Sequence, residues 1–392
     1  VRSRGLGDVY KRQTLLRDYL EQYPDTPYAN RIYALLGACY FYEGKYDEAL
    51  ALLNSSRLDQ LSNTERDDMT YLLACYLKTG NLKEAAIWFE TLRASSEKYE
   101  KDCAYYISYI RYTQKRYDEA LAGFLPLQDD PKYKALVPYY IAEIYIVKKN
   151  YDKAEIVAQN YLSAYPQNEH AAEMYRILGD ASYHFRKYQE AIKAFESYLE
   201  SDASPRRDAL YMLGLSYFQI GVYSKAAETL GEVTTVNDAL TQNAYLHMGL
   251  AYLQLAEKNK ARMAFEQAAA SNADMKIKEQ AAYNYALCIH ETSYSAFGES
   301  VTVFEKFLNE FPNSAYADMV SNYLVEVYLN TRSYDAALKS IDRITHPGAR
   351  ILEAKQRILF QLGTQAFANA SFEQAIGYFD RSIAIGQYNR QI

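Results

Sequence analysis

The chain has 392 residues, 49% of them hydrophobic and 23% charged, with only 16 glycines and 9 prolines. So few helix breakers, with no compositional extreme, exclude a collagen-like or low-complexity chain and predict long helices. A net charge of -6, with basic residues scattered among acidic ones, leaves no basic track for a phosphate backbone and argues against a nucleic-acid partner. No hydrophobic run is long enough to cross a bilayer, so direct membrane insertion of this segment is not expected.

In chain order, Val1 to Gln13 does not fit the pattern of the remaining residues. Leu16, Tyr19, Leu20, Tyr23 and Pro24 read as the second helix of a hairpin, and too little chain precedes them for a partner helix in phase. The segment VRSRGLGDVYKRQ looks like translated sequencing-adapter read-through; the alternative is a native cap with an irregular first helix. From residue 14 the chain reads as one continuous solenoid, with a half unit over 14–29 and then units from about 30, 66, 101, 135, 172, 207, 242, 279, 318 and 356. The marker is an alanine preceded three residues earlier by an aromatic or leucine: Tyr46/Ala49, Leu82/Ala85, Tyr117/Ala120, Tyr151/Ala154, Tyr188/Ala191, Tyr223/Ala226, Tyr334/Ala337 and Phe372/Ala375. Lys258/Ala261 and Phe297/Ser300 are degenerate copies. Upstream of each lies a hydrophobic residue followed by a small one, as in Leu36-Gly37, Leu178-Gly179, Leu213-Gly214, Met248-Gly249 and Leu362-Gly363. A small residue in one helix and an alanine in the next let two antiparallel helices approach closely. Such a hairpin cannot bury its faces alone, so neighbours must stack. Proline turns close several units, at Tyr23-Pro24, Tyr165-Pro166 and Phe311-Pro312. The chain stops at Gln391-Ile392 without a polar capping helix, which predicts a piece of a longer array and self-association through uncapped ends.

These residues resemble the tetratricopeptide repeat, best in the unit with Tyr175, Leu178, Gly179, Tyr188, Ala191, Phe195 and Tyr198 and in that with Leu210, Leu213, Gly214, Tyr217, Tyr223, Ala226 and Leu230. The resemblance covers about residues 14 to 386 and implies an all-α chain, a right-handed α-α superhelix of about ten helical hairpins. It also implies an inner wall made by the first helices, along which a partner peptide lies. Mapped onto this sequence, that wall carries Tyr105, Tyr109 and Tyr112, then Tyr139, Glu143 and Ile146, then Arg176, Asp180, Tyr183 and His184, then Tyr211, Leu215 and Phe218. The partner-binding candidates are Tyr105, Tyr109, Tyr112, Tyr139, Arg176, Tyr183, His184, Tyr211 and Phe218. Equally, these rings could pack against one another across adjacent helices and only narrow the groove. The Lys and Asn pair of the family's carboxylate clamp is missing: its positions hold Ala34/Ala38, Thr70/Ala74, Tyr105/Tyr109 and Arg176/Asp180.

Chemistry is sparse. Most of the 41 tyrosines are expected to fill helix seams. Cys39, Cys75 and Cys288 share one small inward-facing slot and Cys103 opens a first helix, so buried packing is expected of them. His170, His184, His247, His290 and His346 have no partner at metal-ligand spacing, and no phosphate loop or nucleophile elbow is present. No catalytic residue, metal or cofactor is therefore expected. A narrower likeness, at Phe311-Pro312-Asn313-Ser314-Ala315-Tyr316-Ala317-Asp318 and Tyr23-Pro24-Asp25-Thr26-Pro27-Tyr28-Ala29, is to repeats of bacterial outer-membrane-assembly lipoproteins and Tol-Pal-associated periplasmic proteins. The expectation is a bacterial, non-enzymatic scaffold that binds other proteins or peptides during envelope assembly or maintenance, periplasmic or outer-membrane-associated, with a cytoplasmic setting as the alternative. The rival roles are a structural spacer or self-associating array, and a regulatory repeat region of a larger protein.

Overall fold

A computed structural model of the chain describes residues 2–52, 61–201, 204–292, 296–331 and 333–386, and these are helical with no strand among them. The expected uncapped end at Gln391-Ile392 lies outside the described residues. Two compact units divide the chain, residues 1–181 and 182–392. In the first, the helices are α1 (Arg2–Gln22), α2 (Ala29–Tyr42), α3 (Tyr46–Leu52), α4 (Asn63–Leu77), α5 (Leu82–Ser95), α6 (Glu100–Thr113), α7 (Tyr117–Phe124), α8 (Val137–Val147), α9 (Tyr151–Ala164) and most of α10 (Ala171–His184). The second holds α11 (Tyr188–Ser201), α12 (Arg207–Gln219), α13 (Tyr223–Val233), α14 (Ala239–Gln254), α15 (Lys258–Ala270), α16 (Met275–Thr292), α17 (Val301–Glu310), α18 (Ala317–Asn330), α19 (Tyr334–Ile341), α20 (Ala349–Ala368) and α21 (Phe372–Ile385). The fold class is an α-α superhelix of helical hairpins.

Two boundaries differ from the sequence reading. Instead of an irregular segment before residue 14, one helix runs from Arg2 to Gln22. The reason is local: no proline interrupts this stretch, and Gln13 is buried within the same helix whose Leu16 packs on the Leu36, Tyr40 and Ala49 cluster. The helix expected to open near 356 opens at Ala349, directly after Pro347-Gly348. Pro347, just before the Gly348 cap, lacks the N–H that a helix interior needs and so keeps the helix from extending far back into the preceding segment.

Among the described residues, seven hairpins share one turn. Gly44, Lys115, Lys149, Arg186, Gly221, Ala256 and Ala370 all have positive φ, between 58° and 81°. In each, the N–H of the next residue returns to the carbonyl five residues back, at 2.8–2.9 Å, as in Arg116 to Arg111 and Val222 to Tyr217. This is the Schellman end of a helix, which satisfies carbonyls that lack an intrahelical donor. Five turns also carry an edge-to-face aromatic pair, five residues apart: Phe41/Tyr46, Tyr112/Tyr117, Tyr183/Tyr188, Phe218/Tyr223 and Phe367/Phe372, with centroids 5.4–6.1 Å apart. Five of the left-handed residues are not glycine, and a side chain there is strained. Lys149→Gly and Ala256→Gly should each therefore raise the unfolding midpoint, by a net of roughly 0.5–1 kcal/mol after the entropy cost of glycine. A lowered midpoint in both would show that the lysine and alanine side chains stabilise the turn.

Close helix packing follows the small residues. Ala85, Ala120, Ala154, Ala191, Ala226, Ala261 and Ala337 are fully buried, and Ser300 fills the same slot at the end of a single π-helical turn, Ala296–Ser300. Gly214 lies under Leu230, Gly249 under Phe265 and Gly363 under Phe379. Side chains in the first half of a first helix then tie down the end of the following second helix: Arg207 Nε donates to the Val233 carbonyl at 2.9 Å, Gln242 Nε2 to Ala268 at 3.0 Å and Gln356 Nε2 to Ser382 at 2.9 Å. Between hairpins, the Tyr/Phe-Pro phrase makes the same pair of tight turns three times: Thr26 to Tyr23 and Ala29 to Thr26, Asn168 to Tyr165 and Ala171 to Asn168, Ser314 to Phe311 and Ala317 to Ser314. That phrase thus has a structural cause in turn geometry.

Candidate partner-binding surface

Four of the nine candidates sit in the first unit on one aromatic cluster whose hub is Tyr140, a residue the sequence reading did not single out. The Tyr140 ring meets Tyr109 at 5.7 Å, Tyr112 at 5.3 Å and Tyr139 at 5.1 Å, and it stacks on Phe124 at 5.3 Å. Tyr105 is covered from the next hairpin by Tyr133, stacked at 5.0 Å, and Tyr139 by His170, stacked at 4.9 Å. The Tyr105/Tyr133 contact belongs to a staple that recurs after 34 residues. Tyr99 stacks on Tyr71 at 4.4 Å, and the Tyr99 hydroxyl and the Lys98 ammonium both donate to Asp68, at 2.8 and 2.7 Å. One hairpin on, the Tyr133 hydroxyl donates to Asp102, which also accepts from Lys132 at 2.6 Å.

These neighbours leave the rings half-buried. Burial pushes the Tyr112 hydroxyl up to about 12, and those of Tyr105 and Tyr139 up as well, so all three stay protonated donors at neutral pH. Below Tyr112 and Tyr139 lies Arg176, 2% exposed, whose guanidinium is paired with Glu143 and, at 2.6 Å, with Glu173. Arg176 is thus committed to an internal pair rather than presented to a partner. In the second unit, Tyr183 packs on the cluster of Leu210, Leu215 and Leu230 together with Tyr211, whose hydroxyl burial also pushes up. His184 is exposed and meets the Tyr183 ring edge-on at 5.4 Å. Phe218 lies between Tyr223 and His247, at 5.4 and 5.8 Å. Tyr112, Tyr183 and Phe218 are therefore also the turn-pinning rings described above. The sequence signal for that role was an aromatic five residues before the tyrosine that opens a second helix.

The four cysteines are free thiols, with Cys103 and Cys288 buried and Cys39 and Cys75 half-buried. Burial pushes every thiol up, Cys103 to about 12 and Cys288 to about 11, which keeps them from acting as thiolates. Among the described residues no group of His, Cys, Asp and Glu is placed to hold a metal ion, and no helix is long and apolar enough to cross a membrane. None of the nine candidates lines the four described cavities that lie between neighbouring second helices.

Residues 158–209 match the family model described as tetratricopeptide repeat, and residues 184–268 match that described as anaphase-promoting complex, cyclosome, subunit 3. The two matches together span residues 158–268, and the tetratricopeptide pattern is matched over residues 158–209. Among solved structures it is similar to the C-terminal part of a TPR repeat-containing protein from Cytophaga hutchinsonii, at 16% identity over 63% of this chain and 97% of that one, with a TM-score of 0.46. A tetratricopeptide repeat protein from Parabacteroides merdae is 18% identical over 64% and 93%, with a TM-score of 0.37. YrrB, titled a TPR protein with an unusual peptide-binding site, is 17% identical over 51% and 97%, with a TM-score of 0.43. No curated protein matches the chain.

Proposed function

We propose that the chain is a non-enzymatic scaffold that holds segments of other proteins along the faces of its first helices. Repeats of this type generally mediate protein–protein interaction. One observation carries the finer reading: tyrosines on successive first helices, Tyr105, Tyr109, Tyr112 and Tyr139, are fixed by one another yet keep part of each ring open. Rings immobilised before a partner arrives lose little entropy on binding, and buried aromatics dominate interface energy. An envelope setting rests only on the Tyr/Phe-Pro phrase, for which the turn geometry supplies a sufficient cause.

A Tyr109→Ala/Tyr183→Ala variant should keep the helical fold and lose affinity for a captured native partner by about 2 kcal/mol or more. Equal recovery of the same partners by wild type and variant would make the tyrosines structural and move the binding surface elsewhere. A second reading, self-association, draws on the exposed apolar stripe Phe372, Ile376 and Ile383 of α21.

A further inference from the structure

The described cavities share a location, each between the end of one second helix, the next first helix and the second helix or linker beside it. Three of them are lined by charged side chains, such as Glu266, Lys306 and Glu310, or Asp129 and Lys134, or Arg93, Lys101 and Arg111. The fourth, in the second unit, differs in kind. It is about 280 Å³ and is formed by the linker after α13, the start of α14 and the end of α15, with no charged side chain in its lining. Its polar groups are hydroxyls and carboxamides, from Thr234, Thr235, Asn237, Tyr245, Gln267 and Ser271.

The walls are rigid for an identifiable reason. The Gln242 carboxamide is fully used, donating to the Ala268 and Ser271 carbonyls at 3.0 and 2.8 Å and accepting from the Asp274 N–H at 2.7 Å. Thr241 is held by Arg207 at 2.9 Å and by the Val236 carbonyl, and Thr234 donates to Gly231 at 2.8 Å. These bonds fix the linker and both helix ends around the cavity, while the side chains of Asn237, Tyr245 and Gln267 make no such internal bond among the described residues. The site therefore offers fixed backbone, uncommitted amide and hydroxyl groups that can both donate and accept, and one half-buried aromatic ring.

That chemistry selects a ligand class. No charged side chain lines the cavity, and the Arg207 guanidinium behind Thr241 is already paired with Asp238, so a phosphate, carboxylate or ammonium group would lose its hydration for little compensating charge. With little apolar surface beyond Val236, Ala270 and the Tyr245 ring, a lipid chain or flat hydrophobe gains little. A neutral ring bearing several hydroxyls can use both the amides and the aromatic face, and the volume lies near the lower end of small-molecule pockets, about 300 Å³. We propose that this pocket binds one neutral saccharide unit, with Tyr245 beneath the ring and Asn237 and Gln267 on its hydroxyls.

The test is titration of the isotope-labelled full chain with the methyl glycosides of glucose, galactose and N-acetylglucosamine, with N-acetyl-asparagine N-methylamide and inorganic phosphate as further arms. The expected result is saturable shifts of Asn237, Tyr245 and Gln267 by at least one glycoside and none by phosphate. Asn237→Ala and Gln267→Ala, both at exposed positions, should each raise the Kd about fivefold, as expected for one lost hydrogen bond. No saturable shift by any glycoside, an unchanged Kd in the double variant, or tighter binding of the asparagine amide than of every sugar would overturn the assignment.

Discussion

Arg176→Met should lower the unfolding free energy of the first unit by about 3–5 kcal/mol, because it takes the paired guanidinium away from the Glu143 carboxylate, itself only 8% exposed. The protein's single tryptophan, Trp88, lies in α5 of that unit and reports its unfolding by fluorescence. The double variant Glu143→Leu/Arg176→Met should recover most of the loss, since an apolar pair of similar volume replaces two ions that each carry a desolvation cost. If the single variant stays within about 1 kcal/mol of wild type, water reaches the pair and the burial argument fails.

Glycine-to-alanine changes should have opposite signs at two kinds of helical site. Within a helix the change ordinarily stabilises by about 0.5–1 kcal/mol, and Gly377→Ala in α21 should do so, since nothing lies within 4 Å of the added methyl. At Gly249 the same methyl would sit 2.5 Å from Phe265 Cε1, and Phe265 is wholly buried, so the ring has little room to retreat. The expected cost is about 1–3 kcal/mol. Denaturant midpoints decide it: stabilisation by both changes would mean that α14 and α15 separate easily. The Gly249 loss should also shrink in a Phe265→Leu background, because the two sites share one contact.

The helical hairpins were legible because their cause is periodic: Ala120, Ala154, Ala191 and Ala226 recur at a spacing that only close helix packing explains, and all are fully buried. The beginning of α1 was not legible, because Val1 to Gln13 does not match the repeat phase and carries two glycines, whereas the helix runs from Arg2 to Gln22 through both of them with no proline to interrupt it. For the candidate surface the sequence located the tyrosines on first helices but could not tell which side of each ring is covered. That depends on residues about 30 positions away, such as Tyr133 over Tyr105 and His170 over Tyr139. Arg176 looked like a groove residue by its repeat position; burial and two carboxylates make it internal instead. The pocket at Asn237 and Tyr245 has no repeat signature, because it is formed where a linker departs from the pattern.

The shared turn has a consequence for how such a chain can change in length. From the left-handed residue to the start of the second helix the distance is always two residues, as in Gly44 to Tyr46, Lys149 to Tyr151 and Ala370 to Phe372. One residue added there would break the five-residue return bond and, at the pinned turns, misalign the aromatic pair. Yet successive turns at Lys115, Lys149, Arg186, Gly221 and Ala256 are 34, 37, 35 and 35 residues apart. All of that slack must lie outside the turns, chiefly in the segments that lead from a second helix to the next hairpin. Insertions, tags and grafted epitopes therefore belong in a stretch such as His346 to Gly348, where lengthening leaves each hairpin's own closure intact and spares the Gln242 bonds to Ser271 and Asp274.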